Sequence, residues 1–316
     1  MTTGPVRFGV VAPTSLVARA AVVPAIEATA TAEIVATASR SAGQDYRSVI
    51  DHPDVEAVYL PLPNGMHREW VERCAAAGKH VLCEKPLALT ATDARAMAGA
   101  CEDAGVVLME AYMTPFHPRS AALVGLVADG RLGRLVSARA TFTFPHADPA
   151  DHRWDPVLGG GSLADVGIYA LTPLFEVAAA AGVPEAESVT AHAVHTDRGV
   201  DVTTIGLVRF AGGFCAAFEC SFDAPERQVI EVIGTDARVS VEHCFTPDET
   251  DTDLVLHHRD GSAQTVSGPG ADPYQGMVEH FCAVVRGEAR LDRPPAASIA
   301  FAELCDRIRA DCGLPA

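Results

Sequence analysis

The sequence predicts an α/β protein with two domains of different architecture. Its 316 residues are more than a single hydrophobic core usually organises. Residues 6–118 alternate short apolar runs with helical patterns, which is typical of a parallel sheet whose strands are joined by helices. After residue 119, apolar and polar residues alternate along strands that glycine-rich turns connect. We therefore expect a Rossmann-like domain at residues 1–118 and an α+β domain with a large, mostly antiparallel open sheet at residues 119–316.

The elements of the first domain follow one another closely. Its apolar runs have the length of buried strands, and the second helix is expected to end at Gly78, because glycine commonly follows the last turn of a helix. The expected order is a strand at 7–12, a helix at 16–29, strands at 33–39 and 57–61, a helix at 69–78, a strand at 80–83, a helix at 91–104 and a strand at 106–110.

The second domain reads as strands with one helical interruption. Turns such as 211–213 and 259–261 contain glycine and join neighbouring strands. The strands are expected at 135–142, 188–195, 203–210, 214–222, 228–233, 237–242 and 253–258, and the helices at 162–181, 275–286 and 298–312. The last of these helices could return to the first domain.

Composition narrows the classes of partner. The formal net charge of −17 repels nucleic acid and anionic membranes, so we expect neither as a partner. Nine cysteines without a C-x-x-C pair indicate reduced thiols. We see no secretion signal and no apolar run of membrane-spanning length, which favours a cytoplasmic location. His192 and His195 point to opposite faces of a strand, so no metal site is expected there.

An apolar strand ends on a lysine at Leu82-Cys83-Glu84-Lys85-Pro86. Since Pro86 cannot donate to a sheet, Lys85 should lie at the carboxyl edge of the parallel sheet, where open α/β folds bind their ligands. An ammonium group there can orient a substrate hydroxyl and lower the pKa of a neighbouring acid. The alternative is a solvated surface lysine beside a turn.

Asp165 and Tyr169 are four residues apart on a predicted helix, so their side chains share one face. The glycines at 159–161 allow the backbone before this helix to approach a ligand closely. Pro173 removes the amide that would bond the carbonyl of Tyr169, and we expect the helix to loosen or kink there. The alternative is a buried tyrosine with a satisfied hydroxyl, preceded by an aspartate near a helix start.

Three motifs in order resemble the Gfo/Idh/MocA oxidoreductase family over nearly the whole chain. They are residues 61–67 (PLPNGMH), 78–87 (GKHVLCEKPL) and 159–169 (GGGSLADVGIY). The motifs are most similar to glucose–fructose oxidoreductase, dihydrodiol dehydrogenase and xylose dehydrogenase. The resemblance implies an N-terminal domain that binds NAD or NADP. It also implies a C-terminal domain whose open sheet supplies the substrate site and the oligomer interface.

The resemblance also implies roles for single residues. Tyr169 would exchange a proton with the substrate oxygen, Lys85 would orient the substrate and favour the tyrosinate, and Asp165 would bind a sugar-type hydroxyl. His67 would lie at the mouth of the cofactor cleft and Trp154 would stack on the cofactor; a helix-start histidine and a core tryptophan are the alternatives. Implied cofactor contacts comprise Pro61, Leu62, Asn64, His67, Glu84, Lys85 and Trp154.

The phosphate-binding loop departs from the family pattern. The expected G-x-G-x-x-G/A falls on residues 12–17, which contain no glycine. Ala12 is small enough to be tolerated, whereas the branched side chain of Thr14 stands where pyrophosphate normally meets bare backbone. Thr14, Ser15 and the start of the helix at Leu16 could still bind phosphate at a helix N-terminus. A capped helix that binds no nucleotide is the alternative.

The end of the second strand bears on the choice of cofactor. Ser39 and Arg40 follow this strand, and no acid stands where one would bind the ribose 2′-hydroxyl of NAD. A serine and an arginine suit a 2′-phosphate, which favours NADP over NAD. About sixteen residues separate Arg40 from the next strand, which leaves room for little more than one short helix. A solvated loop arginine is the alternative for Arg40.

Two functional hypotheses follow. The first is an oxidoreductase that transfers a hydride between nicotinamide and a polyhydroxylated alcohol or ketone such as a sugar, keto-sugar or dihydrodiol. Its expected cofactor is NADP, and NAD is the alternative. The second is a redox-inactive relative that acts as a lyase, an isomerase or a ligand-binding protein. We also expect a homodimer or homotetramer built through an apolar sheet face that few helices can cover. That face is assigned to Val202, Ile205, Val208, Phe214, Phe218 and Phe222.

Overall fold

The computed structural model describes residues 4–314. They form two compact units. The first contains the residues up to Met113 together with Tyr274–Leu304, and the second contains Thr114–Pro273 with the segment from Cys305 onward.

The first unit is built on a five-stranded parallel sheet in the order β2-β1-β3-β4-β5. This confirms the parallel sheet expected from the alternation of strands and helices. Its strands are β1 (Val6–Val11), β2 (Ala32–Ala38), β3 (Ala57–Leu60), β4 (His80–Glu84) and β5 (Leu108–Ala111). Its helices are α1 (Val23–Ala28), α2 (Arg47–Ile50), α3 (His67–Ala76), α4 (Ala91–Asp103), α7 (Pro273–Val285) and the first part of α8 (Pro295–Asp311).

Strands β1, β3, β4 and β5 of this sheet are buried almost throughout, including β5 at the sheet edge. Every residue of β3 and β5 is buried, and Phe8 of β1 packs against Phe281 of α7 with ring centroids 5.6 Å apart. The helix that follows β1 begins at Leu16 and passes through a π-helical turn, Ala18–Val22, before α1. Between β2 and β3 there is a 3₁₀ turn and the four-residue α2, as the short spacing predicts.

The second unit contains an eight-stranded sheet in the order β13-β12-β11-β10-β6-β9-β8-β7. Only β6 and β9 pair in parallel; the other neighbours are antiparallel. The strands are β6 (Leu135–Thr143), β7 (Ala186–His195), β8 (Asp201–Phe210), β9 (Cys215–Ser221), β10 (Arg227–Gly234), β11 (Ala237–Glu242), β12 (Asp253–His258) and β13 (Ala263–Ser267). Sequence patterns missed β13, which is polar and mostly exposed, and helix α5 (Pro118–Ala128).

Helix α6 (Ser162–Ala180) packs on β6, β8 and β9. It continues as a helix through Pro173, and the expected loosening or kink at Tyr169 stays a prediction. By length and composition α6 could cross a membrane, which the sequence reading did not anticipate, but 72% of its apolar window is buried inside the fold. A core helix passes the same test.

The apolar face predicted for assembly mixes the two sides of the sheet. Val208, Phe214, Phe218 and Phe222 are at most 2% exposed and belong to the core of the second unit. Neighbouring side chains on a strand point to opposite faces. Ile205 therefore lies on the other face from Val208 and is 49% exposed. The exposed apolar residues of β7 and β8 are Val194, Ile205 and Leu207.

Candidate functional site

Lys85 follows β4 directly, at the carboxyl edge of the parallel sheet. Its side chain is half-buried. The amide of Leu87 donates to Glu110 Oε1 at 2.6 Å. The other oxygen of Glu110 accepts from Ser298 Oγ at 2.7 Å and from Arg293 Nε at 3.1 Å. A buried carboxylate with three partners therefore fixes the loop that carries Lys85.

His67 joins this loop to the one after β3. Its Nε2 lies 2.8 Å from the carbonyl of Leu62, and its Nδ1 lies 3.1 Å from the carbonyl of Pro86 and 3.2 Å from that of Leu87. The ring is fully buried, and this burial lowers the pKa of His67. His67 thus begins α3 inside the unit and holds two loops together, while its expected place at a cofactor cleft stays a prediction.

Other predicted cofactor residues also direct their side chains inward. Glu84 Oε1 accepts from the hydroxyl of Tyr59 at 2.7 Å, and both side chains are buried. Burial, assisted by the neighbouring carboxylate, raises the pKa of Tyr59, so the phenol remains a donor. Pro61 and Leu62 are buried as well, so their contact with a ligand would use backbone atoms. Asn64 is half-buried at the start of a 3₁₀ turn.

The phosphate loop keeps a glycine-like turn without glycine. Ala12 has a φ of 45°, in the left-handed region that glycine adopts without strain. The amide of Ser15 donates to the carbonyl of Ala12 at 3.0 Å, and Ser15 Oγ accepts from the amide of Ala18 at 3.4 Å. Thr14 and Leu16 are exposed beside this turn. The backbone thus provides the tight turn that a dinucleotide-binding loop requires, and these residues fit that role.

Arg40 is exposed just beyond β2. Its guanidinium lies over the ring of Tyr46, 5.4 Å from the centroid. Ser39 Oγ and Ser41 Oγ are 2.7 Å apart. One cation and two hydroxyls therefore occupy the end of β2, where a ribose 2′-phosphate would be bound. Ser41 and Tyr46 were not among the residues expected from the sequence, and the binding of a 2′-phosphate by Ser39 and Arg40 stays a prediction.

Asp165 and Tyr169 lie on successive turns of α6 in the second unit. The ring of Tyr169 packs against Phe142, with centroids 5.3 Å apart, and against Phe245, with centroids 6.2 Å apart. Tyr169 is 6% exposed. These aromatic neighbours fix the plane of the phenol ring, as proton transfer at a defined oxygen requires.

Trp154 packs within the second unit. Its ring stacks on His146 at a centroid distance of 5.9 Å and meets Phe222 edge-on at 5.4 Å. It is half-buried, and one of its faces is taken by His146. No group of three or more metal-binding side chains comes together among residues 4–314.

Comparison with known proteins identifies the family. Residues 12–112 match the oxidoreductase family with an NAD-binding Rossmann fold, and residues 121–240 match the GFO/IDH/MocA C-terminal domain. A D-xylose 1-dehydrogenase (NADP(+)) of Haloferax volcanii is 40% identical over 259 residues, which cover 80% of this chain and 78% of that one. The chain belongs to the Gfo/Idh/MocA oxidoreductase family.

Two further similarities extend over nearly the full length. A dTDP-3,4-didehydro-2,6-dideoxy-alpha-D-glucose 3-reductase of Streptomyces antibioticus is 30% identical over 321 residues, covering 96% of both chains. A 3-ketoreductase from Actinomadura kijaniata, solved in complex with NADP and TDP-benzene, has a TM-score of 0.89 and 28% identity and covers 98% of each chain. The family resemblance drawn from three short motifs is confirmed.

Two residues that hold the start of α6 in this Gfo/Idh/MocA protein, residues 160–165 (the α6 turn), were missed from the sequence. Arg153 donates through Nε to Asp165 Oδ2 at 2.7 Å. Asp201, at the start of β8, accepts at Oδ2 from Ser162 Oγ, the amide of Leu163 and Thr204 Oγ1, at 2.7, 2.8 and 2.8 Å. Arg153 could have been found from the sequence, because it stands next to Trp154. Asp201 could not, because its partners Ser162 and Leu163 are distant in the sequence.

Proposed function

We propose that this protein is an NADP-dependent dehydrogenase or reductase that acts on a polyhydroxylated alcohol or its ketone, such as a sugar, a keto-sugar or a dihydrodiol. The observation that carries the proposal is the set of Lys85, Asp165 and Tyr169. Each stands in one of the family motifs, and each is held by neighbours that fix its backbone or ring. Lys85 is one of only two lysines in the sequence.

In this proposal Tyr169 Oη exchanges a proton with the substrate oxygen. By resemblance to the family, Lys85 would orient that oxygen and favour the tyrosinate, because an ammonium group can stabilise an anion. Asp165 accepts a hydrogen bond from a neighbouring hydroxyl of the substrate. The nicotinamide, when bound, supplies or accepts the hydride.

NADP is the proposed cofactor. Arg40 would bind its 2′-phosphate together with the hydroxyls of Ser39 and Ser41, and no acid stands directly at the end of β2, where one would hold a ribose 2′-hydroxyl. The turn at Ala12 and the helix that begins at Leu16 would receive the pyrophosphate. An NADP-dependent xylose dehydrogenase and an NADP-bound ketoreductase among the relatives support this choice.

The test is steady-state oxidation of NADPH, or reduction of NADP, with a panel of aldoses, ketoses and nucleotide-linked keto-sugars. We expect Lys85→Met and Tyr169→Phe each to lower turnover about 10²- to 10⁴-fold, the range for a lost proton-transfer partner. Lys79→Met is the matched control, because Lys79 Nζ bonds only to backbone carbonyls of His52 and Val55 at 3.1 and 2.7 Å. Near-parent turnover in both site variants would defeat the assignment. Nucleotide and sugar binding without hydride transfer would favour a redox-inactive protein.

We also propose a cytoplasmic homodimer or homotetramer, with neither nucleic acid nor membrane as a partner. The exposed apolar residues of β7 and β8, Val194, Ile205 and Leu207, support assembly through that face, because a water-exposed apolar patch is costly. Light scattering of Ile205→Glu with Leu207→Glu should show a smaller particle than the parent. A monomeric parent at micromolar concentration would exclude the assembly.

A further inference from the structure

Arg153 connects two carboxylates at the start of α6. Its Nε donates to Asp165 Oδ2 at 2.7 Å, and its Nη1 lies 3.3 Å from Asp151 Oδ1. The Arg153 side chain is 23% exposed, and that of Asp165 is 15% exposed. Burial disfavours the charged guanidinium, but the two carboxylates outweigh it and raise the pKa of Arg153. The ion pair is therefore shielded from water, where it is stronger than an exposed pair.

The main chain of Arg153 is fixed to the same turn. Its carbonyl accepts from the amide of Gly161 at 3.0 Å. A Cβ at Gly160 would lie 2.3 Å from that carbonyl, so only glycine allows this approach. Gly161 in turn receives the first helical hydrogen bond, from the amide of Asp165 at 2.9 Å. Backbone and side chain of Arg153 thus hold the α6 turn and its first carboxylate as one rigid group.

We infer that Arg153 is a positioning residue, which holds the Asp165 carboxylate and aims it at a hydroxyl of the substrate. This inference rests on the proposed oxidoreductase function. Oδ2 of Asp165 is committed to Arg153, and a fixed carboxylate one turn before Tyr169 sets where a polyol hydroxyl binds relative to the phenol. The guanidinium is already paired with the carboxylates of Asp165 and Asp151. It therefore neutralises their charge and is not a binding group for an anionic substrate.

The charges around this pair are mixed. The side chain of Asp151 also contacts His146 Nε2 at 3.5 Å and His152 Nδ1 at 3.1 Å. Asp165 is the acid that faces Arg153 from α6, and Asp201 faces the same turn from β8. Removal of the guanidinium leaves the carboxylates of Asp151, Asp165 and Asp201 near the turn. The imidazoles of His146 and His152 are then the nearest basic groups to Asp151. Asp165 would then lose the ion-pair partner that holds its Oδ2.

The experiment compares Arg153→Ala, Arg153→Lys and the surface control Arg139→Ala in the full-length protein. Arg139 is 65% exposed and pairs with Glu231. For Arg153→Ala we expect KM for the polyol substrate to rise at least tenfold. Millimolar guanidinium should reverse this rise in part, while the affinity for NADPH stays unchanged.

Arg153→Lys keeps one positive charge, so it should fold and show a smaller rise in KM than Arg153→Ala. It provides the test if Arg153→Ala is unstable. An unchanged KM in both variants would overturn the inference. A loss of activity that follows thermal stability alone, without any rescue by guanidinium, would also overturn it. If the parent turns over no alcohol or ketone, the proposed function fails first, and the inference falls with it. If the parent is active and both Arg153 variants keep its KM, only this inference is rejected and the proposed function stands.

Discussion

Replacement of Asp201 should destabilise the protein more than any change of a surface acid. Asp201 is 5% exposed, and its Oδ2 accepts three hydrogen bonds, two of them from Ser162 and Leu163 in the first turn of α6. A net value of roughly 1–1.5 kcal/mol for each bond gives a loss of about 3–4.5 kcal/mol in the free energy of unfolding for Asp201→Ala. Asp201→Asn retains an acceptor but loses the negative charge at a helix N-terminus, so we expect about 1–2 kcal/mol.

Urea unfolding followed by circular dichroism measures these values. Asp197→Ala removes an exposed acid a few residues earlier and should change the free energy of unfolding by less than about 0.5 kcal/mol. Thr204→Val and Ser162→Ala each remove one hydroxyl donor and should cost about 1 kcal/mol. If Asp201→Ala costs no more than Asp197→Ala, the carboxylate does not cap α6 and the reasoning fails.

Three further predictions concern the first unit, the cofactor and pH. Ala12→Gly should stabilise the protein by about 0.5–1 kcal/mol, because relief of the left-handed strain of roughly 1–2 kcal/mol exceeds the entropy that glycine adds to the unfolded chain; helical Ala76→Gly, the control, should destabilise it in the same melts. Arg40→Ala should abolish a preference for NADPH over NADH in calorimetry, whereas equal affinity for both nucleotides in the parent would refute the NADP assignment. His80 and His117 accept backbone amides through Nδ1, and burial lowers the pKa of both below the usual 6.5. The unfolded chain then binds more protons, so the free energy of unfolding should fall as pH drops from about 7.5 to about 5.5, and a flat profile over that range would contradict the assignment.

The order of elements and the family were accessible from the sequence, because both depend on local patterns. Apolar runs such as that ending at Lys85 identify buried strands by their length and by the proline that follows. The spacing of Asp165 and Tyr169 places both on one helical face whatever surrounds the helix. The exposed polar strand β13 lacked such a pattern, and it was missed.

The environment of each site residue was decided by tertiary structure. His67 is buried between two loops, and Arg153 meets Asp165 across a glycine turn. Asp201 reaches α6 from a strand 38 residues further along the chain than Leu163, a contact that no sequence window contains. The side of the sheet that Ile205 faces depended on register, since one residue of shift moves every side chain to the opposite face. Local patterns determine which elements form, whereas contacts between distant segments determine which polar groups are paired and which surfaces remain exposed.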